Sequence, residues 1–219
     1  DAKKLDLEYK SYMREEGDLE EMKKSMRPPR RKFDFVIGNP PYIGYNECSK
    51  QNLLIVKLIQ SKKAEMSNIY GVNLNTVPGR IKPYAPKPNL YAFFIALGLG
   101  LLKDNGKLCF IIPQTILTAG DLDVLRYHLA KFTTIEKIIT FSGQMFIGRG
   151  LRQNKPIATS SLIFVVSKIR PAVLNLVELI HYENSKDNII TCLKNISTNK
   201  KTTRKKIKQS DLLVNLANW

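Results

Sequence analysis

The chain has 219 residues, 43% hydrophobic and 25% charged, enough to bury a sizeable core and unlike a low-complexity or disulfide-stapled polypeptide. Lys and Arg number 35 against 19 Asp and Glu, a net charge of +16 that points to a polyanionic partner, nucleic acid ahead of a membrane surface. No apolar run reaches the roughly 18 residues of a membrane span, Asp1-Ala2-Lys3-Lys4 is not a secretion signal, and Cys48, Cys109 and Cys192 lack metal-ligand spacing. A cytoplasmic protein with reduced thiols, no metal and no membrane partner is the expectation, with His128 and His181 in packing or surface roles.

Residues 1–32 read as a helical lead-in and a basic linker. Leu5, Tyr9, Tyr12 and Met13 share a helical face, and Leu19, Met22 and Met26 continue a similar stripe. Lys23, Lys24, Arg27, Arg30, Arg31 and Lys32 then surround Pro28-Pro29.

Residues 33–42, Phe-Asp-Phe-Val-Ile-Gly-Asn-Pro-Pro-Tyr, organise the rest. The mostly apolar run 33–37 reads as a short buried strand stopped by a rigid turn. Asn39 precedes a proline, which pushes its backbone to the extended region and projects its side chain from the strand's end. Pro40 and Pro41 lack N–H groups but keep their carbonyls, so the turn presents acceptors without competing donors. An amine on an aromatic ring delocalises its lone pair and is a poor nucleophile. The Asn39 amide oxygen and the Pro40 carbonyl would hold its two hydrogens and favour a pyramidal, more reactive geometry. The Tyr42 ring would stack on the base, a contact worth roughly 1–3 kcal/mol.

This stretch resembles the catalytic motif of amino-group methyltransferases, most of all the adenine-specific DNA methyltransferases of restriction–modification systems. The resemblance implies an α/β fold, the C-terminal half of a Rossmann-like methyltransferase domain with a mixed sheet. It implies methyl transfer from S-adenosylmethionine to the exocyclic amine of adenine in double-stranded DNA, the base leaving the stack to reach the turn. Asn39, Pro40 and Tyr42 take catalytic roles, and Pro41 completes the base-binding turn. Members carry a Gly-rich cofactor loop after their first strand. Here no strand–Gly-x-Gly–helix pattern is found, and Gly148-Arg149-Gly150 is surrounded by a basic loop. The expectation is a chain without the cofactor-loop half and target-recognition domain of a longer parent, inactive in isolation. Similar motifs serve enzymes that methylate guanine in RNA or glutamine in proteins, and a non-catalytic DNA-binding module stays open too.

Residues 43–88 form a long insertion: a helix over 52–62, then a loop rich in Gly, Asn and Pro with Lys82 and Lys87. The spacing predicts a helix over 89–103, capped by Asn89 and ended by Asp104-Asn105-Gly106, apolar all round and therefore buried against a sheet. A strand over 107–112 follows and completes a parallel crossover. This segment also resembles the same enzymes. A helix over 121–132 and strands over 135–141 and 158–168 come next. By the resemblance the last of these strands runs antiparallel between its two predecessors, and Phe146 packs against the flipped base. Arg149, Arg152 and Lys155, in the same connection, sit where DNA phosphates would pass. Residues 173–181 and 188–193 read as two strands, and the basic stretch from Lys194 to Lys208 as a solvated linker or a DNA-backbone contact. The expected division is 1–32, lead-in; 33–170, catalytic half; 171–219, strand pair, basic linker and the start of a target-recognition region. Without the family's earlier strands, 33–37 presents a bare edge, expected to be covered by the N-terminal segment or a neighbouring chain.

Overall fold

Apolar runs separated by polar turns become a six-stranded sheet in the computed structural model, which describes residues 32–44, 89–142, 160–183 and 187–219. The strands are β1 (Phe33–Gly38), β2 (Leu102–Pro113), β3 (Thr134–Phe141), β4 (Ser161–Ser167), β5 (Leu176–Tyr182) and β6 (Thr202–Lys208), arranged β1-β2-β4-β3-β5-β6. The pairs β1–β2 and β3–β5 are parallel, whereas β4 runs antiparallel to both β2 and β3, and β6 antiparallel to β5. The sheet is mixed, with the late strand inserted where the resemblance put it.

Among the described residues, three α-helices accompany the strands: α1 (Leu90–Leu101), α2 (Asp123–Phe132) and α3 (Ile189–Ser197). One face of the sheet is sealed. Leu108, Phe110 and Ile112 of β2, Leu162, Phe164 and Val166 of β4, and Ile135 and Ile138 of β3 are buried there with Tyr91, Ile95 and Leu99 of α1 and Leu125 and Leu129 of α2. Helix α1 lies so close that a Cβ on Gly98 would come within 2.5 Å of a Leu108 methyl. On the other face α3 covers only the far end, where Cys192 and Ile196 pack with Ile139, Phe141, Ile180 and Tyr182.

Several expectations need correction. The motif strand is not buried: β1 is an edge strand, and Phe35 and Ile37 are 66% and 78% exposed, because α1 reaches only its Val36 side. Asn89 makes no side-chain cap; the Leu90 N–H instead donates to the Ile43 carbonyl at 2.9 Å. Asp104-Asn105-Gly106 does not end the helix. Those residues lie within β2 where its register with β1 shifts, and Asn105 takes φ 66° there. The segment read as a strand over 188–193 is helix α3, started by the Asn188 side chain accepting from the Thr191 N–H at 2.9 Å. The stretch read as a solvated linker is in large part β6, paired with β5 along its whole length. The strand pair of 171–219 is thus β5 and β6, continuous with the main sheet. The N-terminal segment expected to cover the free edge of β1 and the helix over 52–62 lie outside the described residues.

Behind α3, the fully buried Tyr182 hydroxyl donates to Asp187 and accepts from the Asn195 amide at 2.8 Å, while Lys201 reaches Asp187 at 3.0 Å. Burial pushes the Tyr182 phenol up to about 12, and Asp187 is held below its usual range by the Tyr182 and Lys201 bonds. A raised folded pKa means stability that is complete below the unfolded value near 10 and is lost as pH rises through about 12. Urea titrations across that window should show this loss in the natural protein and a smaller one in Tyr182→Phe. Identical alkaline profiles would sink the assignment.

Candidate active site

The parallel strands place their carboxyl ends together, and antiparallel β4 brings its amino end to the same edge. In open α/β sheets this is where ligands bind. Gly38 closes β1 opposite Phe110, and a Cβ there would stand 3.1 Å from the Phe110 ring, which would have to give by a few tenths of an ångström to admit a side chain. Asn39 follows and is exposed, Pro40 is buried, and Pro41, Tyr42, Ile43 and Gly44 are half-buried. The Leu90–Ile43 hydrogen bond fastens the exit of this turn to the start of α1.

Tyr42 stands against the first residue of β4. Its half-buried side chain lies beside that of Ser161, and burial is the main effect on its phenol, pushing the pKa up. Ser161 is itself buried and faces Pro113, the last residue of β2. A short 3-10 turn, Gln114–Leu117, continues from Pro113. The Gln114 N–H donates to the Ser160 carbonyl at 2.8 Å, and its side-chain amide reaches the Ser161 carbonyl at 3.4 Å. Tyr91 of α1 meets the Thr115 hydroxyl at 3.0 Å. At the end of β3, Ser142 and Thr140 occupy the two ring nitrogens of His181 at 3.0 and 2.9 Å, a packing arrangement that accounts for this histidine.

Of the residues singled out in the sequence, Asn39, Pro40, Pro41 and Tyr42 therefore lie together at the carboxyl end of β1, with Asn39 exposed and Tyr42 half-buried. Phe146, Arg149, Arg152 and Lys155 lie outside the described residues, as do Lys82 and Lys87. Sequence reasoning missed Ser161, Gln114 and Thr115. The signal was present, since Gln114-Thr115 follows β2 as Asn39-Pro40 follows β1. Among the described residues no group of His, Cys, Asp and Glu is placed to hold a metal, and no helix is long and apolar enough to cross a membrane.

Comparison with known proteins adds the following. The family model described as Eco57I restriction-modification methylase matches residues 3–146. The type II methyltransferase M.TthHB8I of Thermus thermophilus is 33% identical over 121 residues, 55% of this chain and 24% of that protein. M.AccI of Acinetobacter calcoaceticus, also a type II methyltransferase, is 26% identical over 110 residues, 50% of this chain and 17% of the relative. Among solved structures, the type IIG restriction endonuclease BpuSI superposes with a TM-score of 0.53 at 18% identity, over 84% of this chain and 20% of that one. The type I restriction-modification methyltransferase subunit from Streptococcus thermophilus gives 0.53 at 18%, over 88% and 38%. At such identities the structures speak to fold alone. The chain spans about a quarter of the Thermus relative's length.

Proposed function

Because the chain belongs to the Eco57I restriction-modification methylase family, we propose that it carries the acceptor side of a DNA methyltransferase site and directs methylation of the exocyclic amine of adenine. One observation carries this reading: an exposed Asn39 at the carboxyl end of β1, followed by a buried Pro40 and a half-buried Tyr42. The Asn39 oxygen and the Pro40 carbonyl accept the two hydrogens of the amine. That localises the nitrogen lone pair and orients it for attack. Tyr42, half-buried beside the turn, offers a ring face to the extruded base.

S-adenosylmethionine would supply the methyl group. The described residues include no Gly-x-Gly turn following a strand, and β1 ends instead in the Asn39 turn, so they do not themselves form a cofactor cradle. Phe146 is proposed as a second wall for the base, and Arg149, Arg152 and Lys155 as phosphate contacts, on their place in the sequence between β3 and β4. The partner is duplex DNA.

The test is a choice of acceptor. The protein as encoded is incubated with methyl-labelled S-adenosylmethionine and duplex DNA, RNA or a protein mixture, and the product is hydrolysed and separated. Label in N6-methyladenine from DNA is expected. Label confined to RNA guanine or to glutamine side chains would overturn the adenine assignment.

A further inference from the structure

We propose that β6 and the turn leading into it from α3 form a track for the phosphate backbone of duplex DNA, on the opposite edge of the sheet from the Asn39 turn. The inference rests on the DNA reading above and adds a surface that reading does not use. Lys194 on α3, Lys200 in the turn, and Lys205, Lys206 and Lys208 on β6 are all exposed. Acidic groups nearby are already engaged. Asp187 holds Lys201 at 3.0 Å, Glu178 holds Arg204 at 2.6 Å and Lys137 at 3.1 Å, and Glu183 accepts from Thr203 at 2.8 Å. None of the five lysines has an acidic partner among the described residues, in a chain whose net charge is +16.

The shape suits a polyanion as well as the charge does. The turn is fixed: Asn199 and Lys201 sit in the left-handed region at φ 58° and 53°, and Lys200 N–H bonds the Asn195 carbonyl at 2.8 Å. Because β6 begins opposite Tyr182, at the carboxyl end of β5, the turn lies at the same end of the sheet as Asn39. Five strand spacings of about 4.8 Å separate β1 from β6, about 24 Å or some seven base-pair steps. Lysines also blunt free sheet edges against pairing with another chain. That purpose explains Lys205 and Lys206 but not Lys194 and Lys200, which lie off the pairing edge.

Binding of a labelled duplex of about 25 base pairs, followed by anisotropy over a salt series, tests the track. The variant Lys200→Gln, Lys205→Gln, Lys206→Gln, Lys208→Gln should bind about tenfold more weakly than the natural protein, with its log–log salt slope reduced by about 3.6. A control with the same charge removed elsewhere, Lys32→Gln, Lys103→Gln, Lys107→Gln, Lys131→Gln, should stay within about threefold of the natural protein. Circular dichroism melts confirm that both variants are folded. Equal weakening in the two variants would overturn the track, as would self-association of the first with unchanged DNA affinity, or a preference for anionic vesicles over the duplex. Failure of the track alone leaves the methyltransferase reading intact, whereas absence of DNA binding by the natural protein would remove both.

Discussion

Replacing Asn39 by alanine is expected to lower methyl transfer by about 10²–10³-fold, the usual cost of deleting one preorganised polar group from a transition state. The effect should fall on the chemical step. The amine's hydrogens lose their side-chain acceptor, while the Pro40 carbonyl and the Tyr42 ring remain to hold the base. Asn39 is exposed and makes no packing contribution, so stability should change by no more than about 0.5 kcal/mol. DNA affinity should be nearly unchanged. Asn39→Asp keeps an acceptor at the same place and should retain more activity than Asn39→Ala. Single-turnover methylation of adenine-containing duplex, measured in the protein as encoded, reads all of these. Normal turnover in Asn39→Ala would remove the amide from the reaction.

The largest loss of stability is expected at a residue far from that turn. Gln209 is 2% exposed and uses its whole side-chain amide. Its nitrogen donates to the Ala130 and Thr133 carbonyls at 2.8 and 2.6 Å, and its oxygen accepts from the Ile135 N–H and the Asn175 side chain at 2.8 Å each. It thereby joins the end of α2, the start of β3 and the segment entering β5. Gln209→Ala strands several buried polar groups at once and should cost about 3 kcal/mol in urea denaturation. Less than about 1 kcal/mol would mean that water replaces the amide without loss. The chain beyond Gln209 leads back to the site. The buried Arg126 guanidinium donates to the Leu216 and Ile116 carbonyls at 2.5 and 2.8 Å, and the Trp219 N–H donates to the Leu117 carbonyl at 2.9 Å. The Gln114–Leu117 turn beside Ser161 is thus held from behind by residues a hundred positions later.

Much of this arrangement is legible in the residues themselves. The motif's prolines announce where β1 stops, and the unbroken apolar run Leu90–Leu101 announces a helix laid on a sheet. What was not legible depends on neighbours. Ile189, Ile190 and Thr191 favour a strand locally, but a capping Asn188 and the four-residue spacing of Cys192 and Ile196 give a helix that can cover Ile180 and Tyr182. Thr202–Lys208 shows almost no apolar alternation, because its backbone pairing to β5 and a single inward Ile207 hold it. Exposure of Phe35 and Ile37 could not be read either, since an apolar strand looks alike at the centre of a sheet and at its rim. Ser161 escaped because its neighbour Tyr42 is distant in sequence and the antiparallel entry of β4 alone brings them together.

That entry governs how the protein can be made. Strand β4 is synthesised after both strands it separates, so the middle of the sheet stays open until Ser167 has left the ribosome. Until then β2 and β3 each offer an unsatisfied hydrogen-bonding rim, the kind of surface on which nascent chains aggregate. Closure of the sheet's centre is therefore gated by a late piece rather than propagated from the first, and Ser161 reaches the neighbourhood of Tyr42 only when that piece enters.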